Sequence, residues 1–210
     1  MNQKNPWLSI PSLDYERHMS DPSVGQLEML ENIFREVLND FEPKKICVLG
    51  CTTGNGFGYL INKDVELIVG LDINFNYLAE CCAWYIQDIP HLNLVCGDLN
   101  EVEFKDSSFD LIHTALVFEY VDVERVVEKI SCWLKENGVL TVVLQLPSPK
   151  HTPISKTEYE SIKTLSSIME LVDAEKFIRI CKLNNLICHN VFDIEMPQMK
   201  KFRCMHFSKE

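Results

Sequence analysis

Several glycines crowd the loop that follows a short apolar run, and an acid follows about 20 residues later. Ile46 to Leu49 form the apolar run, and glycines stand at positions 50, 54, 56 and 58. A buried strand followed by such a loop lets the backbone approach a phosphate or a nucleoside, because glycine has no Cβ in the way. Asp72 ends a second apolar run, where a carboxylate can accept hydrogen bonds from ribose hydroxyls. An ordinary glycine-rich turn between a strand and a helix is the alternative.

The spacing of these glycines separates two kinds of nucleotide site. A dinucleotide fingerprint reads G-x-G-x-x-G, and its glycines allow close approach to a pyrophosphate. Here Gly54 and Gly56 are followed by Tyr59 at the third position, and Gly58 stands one residue too early. The pyrophosphate cradle is therefore poorly formed, which disfavours a nicotinamide oxidoreductase. An adenosyl group, which also uses an acid such as Asp72, is the ligand that the pattern favours.

Further short motifs follow in order along the chain. They are Cys96-Gly97-Asp98-Leu99, Phe109-Asp110-Leu111-Ile112 and Trp133-Leu134-Lys135-Glu136-Asn137-Gly138-Val139-Leu140. With Val48-Leu49-Gly50-Cys51-Thr52-Thr53-Gly54 and Asp72, they resemble the motifs of the class I S-adenosylmethionine-dependent methyltransferases, over residues 45–146. The resemblance implies S-adenosylmethionine as the cofactor and methyl transfer as the activity. No metal is implied, and no cluster of metal-ligating residue types is visible in the sequence.

The resemblance also assigns site residues. Asp72 matches the ribose acid, and Asp98 with Leu99 matches the motif that contacts adenine. Ligands of open α/β sheets bind outside the carboxyl ends of strands, so Ala115 should border the donor methyl group. In related enzymes a leading arm and helix form part of a lid, for which Tyr15 is a candidate. The predicted cofactor-binding residues are Gly50, Cys51, Thr52, Gly54, Asp72, Ile73, Asp98, Leu99, Ala115 and Tyr15.

The sequence names no catalytic residue firmly. Glu119 and Tyr120 are candidates by their position after the fourth strand, and His18 and His151 are candidates if the arm and a later loop close over the site. Tyr120 can equally serve as an aromatic wall, Tyr15 can simply pack, and His18 can be solvated. A general base is optional in any case, because amines and thiols near their pKa need none.

Two positions depart from the family pattern. Val48 stands where the first motif of the family usually has an acid, and Thr52 stands in place of the middle glycine of that motif. The first change removes a carboxylate, and the second places a Cβ where the methionyl tail of the donor passes. We therefore expect methyl transfer to a small-molecule acceptor, with a non-catalytic S-adenosylmethionine-binding or regulatory protein of the same fold as the alternative.

Positioning these motifs requires a doubly wound α/β sheet. Short apolar runs predict buried strands, and apolar residues at helical spacing predict the helices between them. The resemblance completes this pattern as seven mostly parallel strands with a terminal antiparallel strand, helices on both faces and an N-terminal helical lid. Strands are predicted over about 46–49, 65–71, 92–96, 109–118, 139–146, 186–194 and 199–207, and helices over about 21–40, from 59 onward, 75–87, 121–134, 155–171 and 173–184.

The chain is predicted to form a single methyltransferase-like domain over residues 1–210. An irregular arm over 1–20 and a lid helix make up residues 1–42, and the cofactor-binding core spans 43–146. An acceptor-side loop and helices follow at 147–184, and closing strands at 185–210.

Charge and cysteine content limit the partners. The net charge of −11 repels nucleic-acid backbones and anionic membrane surfaces. The charge therefore favours a small-molecule acceptor and disfavours nucleic acids and membranes as partners. The nine cysteines include no C-x-x-C pair and fit no disulfide framework, which indicates reduced thiols. Together with the lack of an apolar signal segment or membrane span in the sequence, this predicts a cytoplasmic location. The oligomeric state is left open.

Overall fold

One sheet runs through the part of the chain that the computed structural model describes, which is residues 5–148, 152–196 and 200–210. Its strands are β1 (Lys45–Leu49), β2 (Leu67–Asp72), β3 (Leu92–Cys96), β4 (Phe109–Ala115), β5 (Leu134–Gln145), β6 (Leu186–Glu195) and β7 (Lys201–Lys209). They lie in the order β3-β2-β1-β4-β5-β7-β6. Only β7 runs antiparallel to its neighbours in this sheet. The predicted doubly wound α/β fold is confirmed.

Helices cover both faces of the sheet, as predicted. They are α1 (Ser12–Ser20), α2 (Gln26–Phe41), α3 (Phe75–Tyr85), α4 (Val123–Trp133), α5 (Glu160–Lys163) and α6 (Ala174–Leu183). Apolar residues of α1, α2 and α3 join the core on one face. Those of α4 and α6 join the core on the other face. Short 3-10 helices occupy Pro6–Ser9, Phe57–Leu60, Phe118–Tyr120 and Thr164–Ser167.

Strand β1 shows why its sequence is a continuous apolar run. Ile46 and Val48 belong to the core under α2, whereas Cys47 and Leu49 belong to the core under α4. A parallel strand with helices on both faces buries every side chain, so polar residues do not alternate with apolar ones. Parallel pairing with β2 and β4 on either side places β1 at the centre of the parallel half of the sheet.

The α-helix predicted from Tyr59 onward is wrong. The chain makes only the 3-10 helix Phe57–Leu60 and then reaches β2 through a turn and loop. Asn62, inside the predicted helix, has φ of +62°, far from the value of about −63° that an α-helix needs. The helical stretch therefore ends at the turn around Asn62.

The helix predicted over 155–171 is also shorter than expected. It comprises α5 followed by the 3-10 helix Thr164–Ser167. The hydroxyls of Thr164, Ser166 and Ser167 donate to the carbonyl oxygens of Ser161, Lys163 and Thr164 respectively. Such local side-chain bonds compete with the α-helical ladder, which explains the early end of the helix.

Two corrections concern the N-terminal region. The arm predicted to be irregular contains the helix α1, and α2 begins at Gln26 although the sequence predicted a start near Asp21. The backbone N–H of Ser23 donates to Oδ1 of Asp21 at 2.8 Å, so Asp21 caps a turn that precedes α2. Gly25, with φ of +62°, redirects the chain into that helix.

Two strand ends also differ from the prediction. β4 ends at Ala115, three residues before the predicted Phe118, because Leu116 adopts a left-handed φ of +57° that no strand can contain. β5 begins at Leu134, which pairs with Phe109, and it includes the predicted turn at Asn137. The other predicted strand and helix bounds agree with the structure to within about two residues.

The aromatic packing under α6 generates a stability prediction. Phe177 is fully buried, and its ring centroid lies 4.6 Å from that of Phe118 and 5.9 Å from that of Phe207. Phe177→Ala should lower the free energy of unfolding by about 3–5 kcal/mol in urea denaturation, because it leaves a cavity. Leu183 on the same helix is 84% exposed, and Leu183→Ala should change the free energy of unfolding by less than about 0.5 kcal/mol. Equal losses in the two variants would contradict this packing.

Candidate functional site

A cavity of about 1160 Å³, part of it open to solvent, lies at the carboxyl edge of the parallel strands. Asp72, Ala115 and Gln145 end β2, β4 and β5 there, and Gly50 and Gly97 follow β1 and β3. Ligands of open α/β sheets bind at this edge, and the cavity is large enough for a small molecule. The opposite walls include Trp7, Tyr15, His18, Tyr120, Pro153 and Lys200.

Asp72 forms the polar floor of this cavity. Its side chain is only 7% exposed, and its two carboxylate oxygens accept hydrogen bonds from the backbone. Oδ2 accepts from the N–H of Thr52 at 2.9 Å, and Oδ1 accepts from the N–H of Asn74 at 2.8 Å. Burial raises the pKa of Asp72 to about 6, although these backbone bonds oppose the shift. The carboxylate is thus fixed in place beside the glycine loop.

The glycine loop approaches the cavity closely at Gly50. This residue has φ of +69°, and a Cβ there would lie 2.5 Å from Cγ2 of Val117. Both residues line the cavity, so a side chain at position 50 would push into its wall. Thr52 lines the cavity as well and holds a left-handed φ of +49° in spite of its branched side chain. Residues other than glycine are uncommon in this conformation.

The N-terminal arm closes over the same edge. The side-chain amide of Asn74 donates to the carbonyl oxygens of Trp7 at 2.8 Å and Ile10 at 3.3 Å. The ring of Trp7 packs edge-on against Tyr120, with the centroids 5.2 Å apart. Thr53 in the glycine loop donates its hydroxyl hydrogen to the carboxylate of Glu16 in α1. These bonds hold the arm against the ends of β1 and β2.

Polar side chains also line the far end of the cavity, near β5 and β7. Lys200 immediately precedes β7, and its Nζ donates to the carbonyl oxygen of Pro153 at 2.6 Å. Nε2 of Gln145 donates to the same oxygen at 2.9 Å. His18 places Nδ1 2.8 Å from the hydroxyl of Thr157. Burial lowers the pKa of Lys200 to about 8 and that of His18 to about 4.

The structure brings most of the predicted site residues to one cavity. Their roles stay predictions, because position alone does not assign a function. Lining it are Gly50, Thr52, Asp72, Ile73, Asp98, Leu99, Ala115 and Tyr15 among the predicted cofactor residues, and Tyr120 and His18 among the catalytic candidates.

Three of the described predicted residues do not line the cavity. Cys51 is buried in the core under α2, a Cβ at Gly54 would meet the side chain of Tyr85, and Glu119 lies behind the wall. His151 falls outside the described residues. Val48, where the family carries an acid, packs in the same apolar core as Cys51.

Glu119 is a buried carboxylic acid and is only 1% exposed. Its Oε1 accepts a hydrogen bond from the backbone N–H of Gln145 at 2.8 Å. Its Oε2 has no hydrogen-bond partner among the described residues. Burial raises the pKa of Glu119 to about 7, although hydrogen bonds from the backbone oppose the shift. The carboxyl group of Glu119 therefore holds the backbone at the end of β5 without lining the cavity.

Two residues that line the cavity, Lys200 and Gln145, were not predicted as site residues from the sequence. Gln145 is a polar residue at the end of an apolar strand, a signal that marks the ligand edge of a parallel sheet. Lys200 gave no such signal, because it enters the site only through the antiparallel pairing of β7 with β5.

Comparison with known proteins identifies the fold family. Residues 47–142 match the methyltransferase domain family. Over these residues, which are less than half of the chain, it is similar to that family, and its fold is that of S-adenosylmethionine-dependent methyltransferases. The cofactor of this family is S-adenosylmethionine, as the motifs in the sequence indicated. The matched segment runs from β1 into β5 and includes the cavity floor at Gly50, Asp72 and Asp98.

Two curated relatives match part of this chain. The uncharacterized protein MJ0638 of Methanocaldococcus jannaschii is 34% identical over 118 residues, which is 54% of this chain and 49% of the relative. Phosphoethanolamine N-methyltransferase 1 of Arabidopsis thaliana is 26% identical over 150 residues, which is 70% of this chain and 30% of the relative. The match thus covers less than half the length of either relative.

Solved structures share the fold of this chain over most of its length. One is geranyl diphosphate C-methyltransferase from Streptomyces coelicolor A3(2), in complex with Mg²⁺, geranyl diphosphate and S-adenosyl-L-homocysteine. It has a TM-score of 0.67 at 14% identity and covers 92% of this chain and 87% of that chain. At such low identity the likeness establishes the fold alone.

The described ranges also bear on metal binding, membrane insertion and the state of the cysteines. No cluster of three or more His, Cys, Asp or Glu side chains there is arranged to hold a metal ion. Within residues 5–148, 152–196 and 200–210, no helix is both long and apolar enough to cross a membrane. The nine cysteines are free thiols.

The burial of Glu119 predicts a pH-dependent stability. Its pKa of about 7 exceeds the ordinary 4.5, so the folded chain binds this proton more tightly than the unfolded chain. The stabilisation is complete below pH 4.5 and is lost as the pH rises through 7, by about 3 kcal/mol in the free energy of unfolding. Glu119→Gln, which keeps an acceptor for Gln145 and cannot ionise, should not show this loss.

Urea unfolding at about pH 5 and about pH 8 measures the effect. The difference in stability between the unmodified chain and Glu119→Gln should change with pH, whereas contributions from other groups cancel. Glu136→Gln, at an exposed position, serves as the control and should follow the unmodified chain at both pH values. Parallel pH profiles for Glu119→Gln and the unmodified chain would show that Glu119 does not titrate as a buried group.

Proposed function

We propose that this chain transfers the methyl group of S-adenosylmethionine to a small-molecule acceptor. The observation that carries the proposal is the buried carboxylate of Asp72 at the floor of the cavity, fixed beside a loop that approaches without a Cβ at Gly50. Each oxygen of Asp72 accepts one backbone hydrogen bond and has capacity for another, which suits a pair of ribose hydroxyls.

The residues around Asp72 fit the rest of an adenosyl donor. Asp98 and Leu99, after β3, offer a polar and an apolar contact for adenine. On the other side of Asp72, Gly50 and Ala115 leave room for the methionyl part, because neither carries a long side chain. S-adenosylmethionine, when bound, would supply a methyl group on a cationic sulfur that is already activated for transfer.

The task of the chain is then alignment in a water-poor space. Trp7, Tyr15 and Tyr120 form an aromatic wall, and their packing against one another keeps the arm in place. Holding two reactants in line removes much of the entropic part of a reaction barrier. The arm would therefore promote transfer by excluding water and by fixing the acceptor.

Proton transfer has a smaller part in this proposal. Glu119, a candidate by position, does not line the cavity. His18 lines it, but burial lowers its pKa to about 4, which makes the imidazole neutral and weakly basic at neutral pH. Burial raises the pKa of the Tyr120 phenol above its usual range, which keeps it protonated. An acceptor that needs no strong base, such as an amine or a thiol, suits these three residues best.

A small acceptor is supported by charge and by the names of relatives. The net charge of −11 opposes binding to nucleic-acid backbones. The names of two similar proteins, phosphoethanolamine N-methyltransferase 1 and geranyl diphosphate C-methyltransferase, refer to small molecules. Ala115 and Lys200 both line the cavity in which such a molecule would bind.

The second candidate function is cofactor binding without turnover. Thr52 favours it, because its side chain occupies part of the cavity wall that a glycine would leave free. Val48 adds to this, since the carboxylate usual at its position is absent.

Ligand-induced thermal shifts separate these functions from a nicotinamide enzyme. S-adenosylmethionine and S-adenosylhomocysteine at 100 times their dissociation constant should stabilise the chain by about 2.7 kcal/mol, and NADH should not. Consumption of the donor against a panel of small amines, thiols and hydroxyl compounds then tests turnover. Stabilisation by NADH alone would exclude the methyltransferase, and stabilisation by the donor without any methylated product would favour the binding protein.

The role of Asp72 gives a direct mutational prediction. Asp72→Ala removes the acceptor for ribose hydroxyls and should weaken S-adenosylhomocysteine binding by about 1.5–3 kcal/mol, measured by calorimetry. Asp106→Ala, at an exposed loop position that carries the same charge, should leave the affinity unchanged. If Asp72→Ala remains folded and binds with unaltered affinity, Asp72 is not the ribose ligand.

A further inference from the structure

The two ends of the cavity carry opposite charges. In the strand order β3-β2-β1-β4-β5-β7, Asp98 follows β3 and Asp72 ends β2. Ala115 ends β4, the fourth strand of this row. Lys200, at the start of the antiparallel β7, stands at the other end of this row. All four residues line the same cavity. A bound molecule would therefore meet carboxylates at one end and an ammonium group at the other.

Lys200 is an unusual cation because it is buried without an ionic partner. Its side chain is 7% exposed, and its one hydrogen bond to a described residue runs to the carbonyl oxygen of Pro153. No carboxylate lies within 4.0 Å of Nζ among the described residues. The ranges outside them, 1–4, 149–151 and 197–199, contain no Asp or Glu. A buried charge is costly unless it is paired, and an ammonium group has three donors, of which the described residues accept one.

The neighbours of Lys200 are also polar and buried. Gln145 shares the carbonyl oxygen of Pro153 with it, which brings the amide and the ammonium group together. His18, from α1, lines the same cavity and is neutral at neutral pH because burial lowers its pKa. Both side chains are more than nine-tenths buried. Amide, imidazole and ammonium groups together can donate to the oxygens of one small anion.

We propose that Lys200, with Gln145, binds an oxyanion of the acceptor, a carboxylate or a phosphate group. This inference rests on the proposed methyl transfer. Neighbouring strands are about 4.8 Å apart, so the main chains of β4 and β7 are separated by about 10 Å. The acceptor would place its anionic group near Lys200 and its methylated atom near Ala115. The opposite charges would then orient the acceptor between the two ends.

One competing source of the anion is the carboxylate of the donor itself. Its ribose would be held at Asp72 on β2, and four strand spacings, or about 19 Å, separate the main chains of β2 and β7. The donor tail has to reach only the region of Gly50 and Ala115 on the intervening strands. The position of Lys200 beyond β5 therefore favours the acceptor.

Simple anions test the site directly. Inorganic phosphate and acetate are titrated into the chain saturated with S-adenosylhomocysteine, and binding is followed by calorimetry. Lys200→Met should weaken the binding of at least one of these anions about tenfold or more, and Lys200→Arg, which keeps the charge, should retain most of it. The anion that binds more tightly identifies the chemistry as phosphate or carboxylate. Lys201→Met is the matched control, because Lys201 is exposed and pairs with Glu195 at the surface.

Donor binding provides the second readout. Lys200→Met should bind S-adenosylhomocysteine with unchanged affinity, which also shows that the variant is folded. A fall in this affinity, with unchanged binding of methylthioadenosine, which lacks the carboxylate, would assign Lys200 to the donor and overturn the proposal. Equal anion binding by Lys200→Met and the unmodified chain, or no anion binding by either, would also overturn it. Failure of the unmodified chain to bind S-adenosylhomocysteine would instead contradict the proposed function.

Discussion

The buried carboxylate of Asp72 connects three parts of the chain that must meet for the cavity to exist. One oxygen accepts from the backbone of Thr52 in the loop after β1, and the other accepts from the backbone of Asn74 after β2. The side chain of Asn74 then holds the carbonyl oxygens of Trp7 and Ile10 in the arm. An unsatisfied carboxylate at this depth would be costly, so loop, strand end and arm are constrained together.

This constraint explains which parts of the site could be predicted from the sequence. A parallel strand buried on both faces is a continuous apolar run, and the polar residue that ends it lies at the ligand edge. Asp72 and Asp98 follow that rule, and both line the cavity. The sheet order could be predicted from the family resemblance, because the same motifs recur in order on the same strands.

The remaining parts depend on interactions between distant segments or on backbone angles. The positive φ of Asn62 ends the helical stretch that begins at Phe57, and an apolar pattern at Tyr59 does not reveal this. Lys200 reaches the cavity because β7 returns antiparallel to β5, which brings it close to Gln145 although the two residues are 55 positions apart in the sequence. No local pattern around Lys200 marks it as buried. Its burial follows from the tertiary fold alone.

Thr52 shows that a departure from a family motif can keep the geometry that the motif provides. Its φ of +49° is the left-handed conformation that glycine adopts easily, and its backbone N–H still donates to Asp72. The side chain of Thr52 lies beside the phenol of Tyr15 in α1, and both residues line the cavity. The hydroxyl of the adjacent Thr53 donates to the carboxylate of Glu16 in the same helix. The loop after β1 therefore meets the arm at two successive threonines, and the left-handed φ of Thr52 lies where the cavity wall is formed.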